Sequence, residues 1–293
     1  MKSCKNCAEK DFHTIVRRLD SVYQREKQYD VLKCTNCGLA QTFPEPDSSV
    51  LNLIYESRYA YEIHDLVKNE KRRRAKKLAE IYFKHSKTNA ILEFGCGAGI
   101  LLDVFRSAGV NIKGVESSRE VAEAANKVLG SELVQCNTAE QFIKIEGNVN
   151  EDVVMSHTLE HLPGAMDFLD YLANNMQRER VLVLVVPNLA RGQRLLLKRC
   201  WSYWQVPVHI FHFDEKCLRF ILEERGFEIR AIHYRNQDFM GLGVYLLNIF
   251  KMKSESVRLS NRMKKLISLF AHLWSFAYKF GKHDLIIVAE KIR

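Results

Sequence analysis

The pattern of apolar and polar positions changes character along the 293 residues. Up to about residue 45, short apolar stretches alternate with charged ones around paired cysteines. The segment VRRLDSVYQREKQYDVLKC (16–34) carries enough period-two alternation for two or three short strands. From about residue 88, compact apolar runs are separated by segments of helical period. AILEF (90–94) precedes a helix near 98–108, and IKGVE (112–116) one near 119–129. ELVQC (132–136) leads to a short helical or irregular piece, and DVVMS (152–156) to a helix near 164–177. RVLVLVV (180–186) is followed by an aromatic stretch and a helix near 214–225, and FEIRAIHY (227–234) and DLIIVAEK (284–291) close the series. Strands that are apolar on both faces and alternate with helices predict an α/β fold, a parallel sheet covered on both sides.

The PEP at 44–46 marks a linker. The organisation expected is a small ribbon over 1–45, a linker with N-terminal helices over 46–87, and an α/β domain over 88–293 with a helical insert at about 235–282. A tyrosine group in the linker (Tyr55, Tyr59, Tyr61) either packs on the next domain or lines a substrate mouth.

Composition adds little to that picture. With 47% hydrophobic and 27% charged residues the chain reads as globular. No apolar run approaches the ~18–20 residues that cross a bilayer. The first twenty residues are charged throughout, so no secretory signal is expected, and eight cysteines without one point to a reducing cytoplasm. The net charge of +9 invites a nucleic-acid reading. Much of it, however, sits in KNEKRRRAKK (68–77), which is followed by LAEIYF and reads as the solvated first part of a helix.

Chemistry concentrates in three places. Cys4-x-x-Cys7 and Cys34-x-x-Cys37 form two knuckles separated by 26 residues. Four thiolates at that spacing make a closed tetrahedral zinc site, structural rather than catalytic because no position stays open. A ribbon of this size buries too little apolar surface to fold alone, so the metal supplies folding energy.

The second place is ILEFGCGAGILL (91–102), where a strand turns into a helix through Gly95, Gly97 and Gly99. Glycine costs roughly 0.5–1 kcal/mol against alanine in regular structure, so the spacing predicts a backbone that must approach a ligand, at the ligand edge of a doubly wound sheet. The dinucleotide pattern Gly-x-Gly-x-x-Gly fails, since residue 100 is Ile. An acidic Glu93 just before the turn suits a ligand with an ammonium group, and Glu116 at the end of the second strand suits a ribose.

The third place is the histidines after the fourth and fifth strands. His157 and His161 are four residues apart and would share a face if their turn is helical; His209 and His212 follow in an aromatic stretch. Each suits general-base work near neutrality, and Glu160 is a further candidate. The expected order of preference among the histidines is His209, His161, His212, His157. Glu160 and His161 alone offer too few ligands for a metal centre.

These residues together resemble the class I S-adenosylmethionine-dependent methyltransferases, through the acidic-x-Gly-x-Gly-x-Gly motif, SHTLEHLPGAMDFL (156–169), VLVLVVPN (181–188) and HIFHFDEKCLRFILEERGFEI (209–229). The knuckles and tyrosine-rich linker resemble the zinc-ribbon-bearing subset that methylates sugars and other natural-product intermediates. The resemblance implies a Rossmann-like seven-stranded methyltransferase sheet with a small N-terminal zinc ribbon. It implies S-adenosyl-L-methionine as cofactor beside structural Zn2+. The glycines, with Cys96, would let the backbone approach the cofactor's methionine part near Glu93, Glu116 and Ser117 would hold the ribose, and Asn137, Thr138 and Ala139 would contact the adenine. His157, beside the strand end, suits a backbone contact to the cofactor. The acceptor implied is a small molecule or glycan precursor. DNA is not implied, and RNA is the weaker alternative, because SHTLEH stands where amino-group base methylation would need Asn/Asp-Pro-Pro-aromatic. A non-catalytic binding module is the second alternative. Segment 262–282, apolar and basic by turns, reads as a lid, a homodimer face or a helix lying on a membrane surface.

Overall fold

The computed structural model describes residues 2–20, 27–47, 65–190, 194, 199, 201, 203–235 and 283–293. The tyrosines 55, 59 and 61, and the expected insert beyond Arg235, lie outside the described residues. No described helix is long and apolar enough to cross a membrane.

The N-terminal region holds β1 (Phe12–Asp20), β2 (Gln28–Cys34) and β3 (Ala40–Phe43). Then follow α1 (Asp65–Tyr82), β4 (Ala90–Phe94), α2 (Ile100–Ser107), β5 (Asn111–Glu116), α3 (Arg119–Leu129), β6 (Val134–Cys136) and α4 (Ala139–Ile145). The second half contains β7 (Asp152–Ser156), a 3-10 turn (Leu159–His161), α5 (Ala165–Asn175), β8 (Val181–Pro187), β9 (Phe211–His212), α6 (Glu215–Glu224), β10 (Phe227–Arg235) and β11 (Asp284–Lys291).

Seven strands form one sheet in the order β10-β11-β8-β7-β4-β5-β6. The strands from β6 to β8 run parallel, and β11 is antiparallel to both of its neighbours. The apolar runs have a direct cause, because every residue of β8 is buried. Leu182, Leu184 and Val186 face one layer with Phe142, Phe168 and Leu218, whereas Val181, Val183 and Val185 face the other with Leu78, Phe105 and Leu129. A helix-covered sheet needs both sets, and truncating one such side chain to alanine costs about 2–5 kcal/mol.

The second sheet is antiparallel, in the order β1-β2-β3-β9. Its fourth strand comes from far down the chain: Ala40 faces His212 and Gln41 faces Phe211. Lys33 Nζ meets Asp214 at 2.5 Å and Arg225 donates to Asn6 Oδ1 at 2.8 Å. Cys4, Cys34 and Cys37 are buried in the same cluster as Leu218 and Ile221 of α6. The ribbon is therefore sutured onto the segment between β8 and α6 by backbone pairing, charge and a common core.

Candidate functional site

The glycine loop begins where β4 ends. Gly95, Gly97 and Gly99 all have left-handed backbones, with φ of +74°, +51° and +74°. The N–H groups of Gly95 and Cys96 donate to Val115 O at 2.8 and 3.1 Å, and that of Gly97 to Glu116 Oε2 at 3.0 Å. The missing side chains serve three purposes. A Cβ on Gly95 would overlap Thr158, whereas one on Gly97 meets nothing within 4 Å. Gly99 caps α2 and packs on α3, where a Cβ would lie 3.4 Å from Ala125 and 3.5 Å from Leu129. Gly99 does not line the cavity, and its left-handed φ at the start of α2 is by itself a reason for glycine there.

Above the loop lies a cavity of about 630 Å³, inside the range of small-molecule sites. Glu93, Gly95, Cys96, Gly97, Glu116, Ser117, Thr138 and Ala139 line it, as does Asn137. Glu93 is buried, and its Oε2 has no hydrogen-bond partner. Burial and the nearby Glu116 carboxylate hold the Glu93 pKa well above the usual carboxylate range. Glu116 is anchored instead: its Oε1 accepts from Ser117 N at 2.8 Å and Ser118 N at 3.2 Å. Thr138 and Gln141 form a reciprocal capping box that starts α4 beside the cavity.

Lys71 and Arg74 of α1 and Arg235 at the end of β10 also line the cavity. Sequence reasoning missed them. The basic run 68–77 does lie in a helix, yet one turn of it faces inward, which a charge count alone does not reveal.

The histidines separate into two groups. His157 and His161 are on the cavity wall. His157 has φ of +57°, so the helical face expected to join it to His161 does not exist. Its ring stands 3.4 Å from Glu160 Oε1 and 3.5 Å from Asp284 Oδ2, and Asp284 is itself held by Arg235 at 2.8 Å. Burial would lower the His157 pKa, but the two carboxylates overcome it and raise it to about 9. Arg235 donates to His157 Nε2 at 3.1 Å, so the lone pair that a base would use is already engaged.

His209 and His212 do not reach the cavity, contrary to expectation. His212 is buried, which pushes its pKa down to about 3. Thr42 donates its hydroxyl proton to His209 O at 2.7 Å and so accepts from His212 Nε2 at 3.0 Å. His212 is a latch between β3 and β9. His209, the first choice as base, is 3% exposed, with Nδ1 2.8 Å from Tyr203 O. Glu160, 1% exposed, also lies behind the wall.

The cysteine knuckles do come together. One ligand atom from each of Cys4, Cys7, Cys34 and Cys37 lies within 4.8 Å of the others. Cys4 Sγ is 3.4 Å from Cys37 Sγ, and Cys7 Sγ 3.6 Å from Cys34 Sγ. Tetrahedral zinc with bonds of ~2.3 Å places sulfurs about 3.8 Å apart, so the cluster fits that ion after small adjustments.

Residues 66–232 match the family model described as a methyltransferase domain. The chain belongs to that methyltransferase family. No curated protein sequence matches it. Among solved structures it is similar to a SAM-dependent methyltransferase from Archaeoglobus fulgidus, with 21% identity and a TM-score of 0.53, covering 75% of this chain and 94% of that one. It is also similar to magnesium protoporphyrin IX methyltransferase from Synechocystis PCC 6803, solved with bound SAH, with 14% identity and a TM-score of 0.51, covering 84% of this chain and all of that one. At these identities the likeness is one of fold. The seven-stranded methyltransferase sheet expected from the sequence is present, and the protein is an enzyme of the S-adenosylmethionine-dependent methyltransferase class.

Proposed function

We propose that this methyltransferase binds S-adenosylmethionine in the cavity above Gly95–Gly99 and methylates a small acceptor, a sugar, glycan precursor or similar biosynthetic intermediate. The observation that carries the cofactor reading is the pair of acidic groups either side of the glycine loop. Glu93, buried without a full set of hydrogen bonds, is what an ammonium would complete, and Glu116, already fixed by backbone donors, offers oxygens to ribose hydroxyls. The polar wall at 137–139 suits the adenine. The cofactor supplies a sulfonium-bound methyl with its own leaving group. The protein's work is then to hold the acceptor in line and to exclude water.

The small-molecule reading is supported by the cavity's size and by its wall of helix, loop and strand end. The cysteine cluster is proposed as a structural zinc site that ties the ribbon to the sheet, consistent with its closed set of four sulfurs.

Titration calorimetry with S-adenosylhomocysteine on the wild type and on Gly97→Arg tests the cofactor site. Gly97 has open space in front of it, so an arginine would meet no neighbouring side chain while filling the ligand's place. Its left-handed backbone costs about 1–2 kcal/mol, so circular dichroism must show the variant folded. Binding by the wild type and a loss of at least tenfold in the variant are expected. Equal affinity in both would sink the assignment.

A further inference from the structure

A continuous run of hydrogen bonds joins the cysteine ribbon to the cavity wall. Both knuckles are held against the segment 39–43. Cys34 N donates to Leu39 O at 2.9 Å, and Lys5 N, just after the first cysteine, donates to Gln41 Oε1 at 2.9 Å. Thr42 of β3 is 2% exposed and makes three bonds to residues 209–212. Its N–H donates to Ile210 O at 2.9 Å and its hydroxyl to His209 O at 2.7 Å, and the same oxygen accepts from His212 Nε2 at 3.0 Å.

Residues 208–212 pass the restraint on. Ile210 N donates to Glu160 O at 2.9 Å, so this one residue is held by Thr42 on one side and by the turn after β7 on the other. Val208 O can only accept, so His161 Nδ1 donates to it, at 3.0 Å. His161, Leu162, Pro163 and Gly164 all line the cavity, as does His157.

This part of the wall has little regular structure of its own. The turn Leu159–His161 is three residues long and is entered through the left-handed His157. β9 has two residues, too few to stand alone, and its ladder partner is β3. The glycine loop, by contrast, is held from β5 through Val115 O and Glu116. In the sheet, β7 lies on the other side of β4 from β5 and β6. With the cofactor on the glycine loop, Glu116 and 137–139, the wall that follows β7 is left to the acceptor. That division into halves rests on the cofactor reading; the bonded relay does not.

We propose that the ribbon is the positioning element of the acceptor wall. Thr42 carries the order of the four-cysteine cluster through residues 208–212 to His161–Gly164. Metal at the cysteines thereby shapes the acceptor half of the cavity and leaves the cofactor half alone. Thr42 is a positioning residue and does not itself line the cavity.

Hydrogen-exchange mass spectrometry on the full chain, purified with its metal, tests the relay in the wild type, Thr42→Val and Thr42→Ser. Valine keeps the shape of the side chain and the backbone bond to Ile210 but removes both hydroxyl bonds. Elemental analysis should find the same metal content in all three. In Thr42→Val, amides of 158–164 and 208–212 should exchange about tenfold faster, the scale of a lost buried hydrogen bond. Amides of 93–99 and 114–117 should not change, and Thr42→Ser should restore the wild-type rates. Wild type stripped of metal by a chelator should show the same acceleration at 158–164, beside that of the ribbon. Affinity for S-adenosylhomocysteine should be equal in the wild type and Thr42→Val. A wild type that binds none refutes the cofactor reading, while the exchange rates still decide the relay. Unchanged exchange at 158–164 in the valine variant, or in a stripped protein whose ribbon has loosened, overturns the proposal. So does a uniform acceleration across the whole sheet in Thr42→Val, which would make the residue a contributor to global stability alone.

Discussion

Gly95→Ala isolates what the glycine loop demands of the fold, because both parts of its cost are visible. The residue has φ of +74°, and a left-handed backbone costs a non-glycine residue roughly 1–2 kcal/mol. The new methyl would also stand 3.0 Å from Thr158 Cβ and inside the contact distance of its Cγ2 and Oγ1. Overpacking of that kind typically costs a further 1–3 kcal/mol, so a destabilisation of about 2–5 kcal/mol is expected. The two parts can be separated, since only the second involves Thr158. Thr158→Ala removes the atoms that clash, and the native Thr158 hydroxyl makes only a long bond to Ser156 O at 3.4 Å. Urea unfolding of the wild type, both single variants and the double variant gives a coupling energy. The double variant should recover the overpacking share, about 1–3 kcal/mol, and retain the backbone share. If Gly95→Ala melts within experimental error of the wild type, or if Thr158→Ala recovers nothing, the close approach described here is wrong.

Two further outcomes follow from the site and the ribbon. Glu93 holds its proton to higher pH than an ordinary carboxylate, and a ligand ammonium beside it would expel that proton. Affinity for S-adenosylhomocysteine should therefore rise with pH, by up to about tenfold per unit below the ligand-free pKa, and level off above it. Glu93→Gln should flatten the curve, and a flat wild-type curve refutes the role. The same raised pKa favours the folded state at low pH and is lost as pH climbs through the folded value, so binding and stability should move in opposite directions. For the ribbon, Cys34→Ser should remove one zinc and lower the melting point of the whole protein in a single transition, by about 4–8 °C for a loss of about 2 kcal/mol. Differential scanning calorimetry that shows an unchanged main transition would mean the ribbon is energetically separate after all.

What the sequence determined by itself was the succession of strands and helices; the strand order and the antiparallel direction of β11 came only with the tertiary structure. Local period and apolar run length are properties of neighbours in the chain, and they place Arg119–Leu129, Asp152–Ser156 and Asp284–Lys291 where the structure has them. The glycine loop was legible for the same reason, since three left-handed positions leave their mark on three alternate residues of one short stretch. The four cysteines were legible because metal geometry forces short local spacings. Only the tertiary structure decided which side of a strand or turn each polar residue faces. His209, four residues from Gln205 whose carbonyl takes its N–H, follows β8 in sequence but turns behind the wall. His157 is on the wall and faces Asp284, a residue more than a hundred positions away. The same is true of the strand that β9 adds to the ribbon and of the meeting of Glu160 with His209. Each is a contact between distant segments, and its energy comes from burial and pairing that exist only after the sheet has closed.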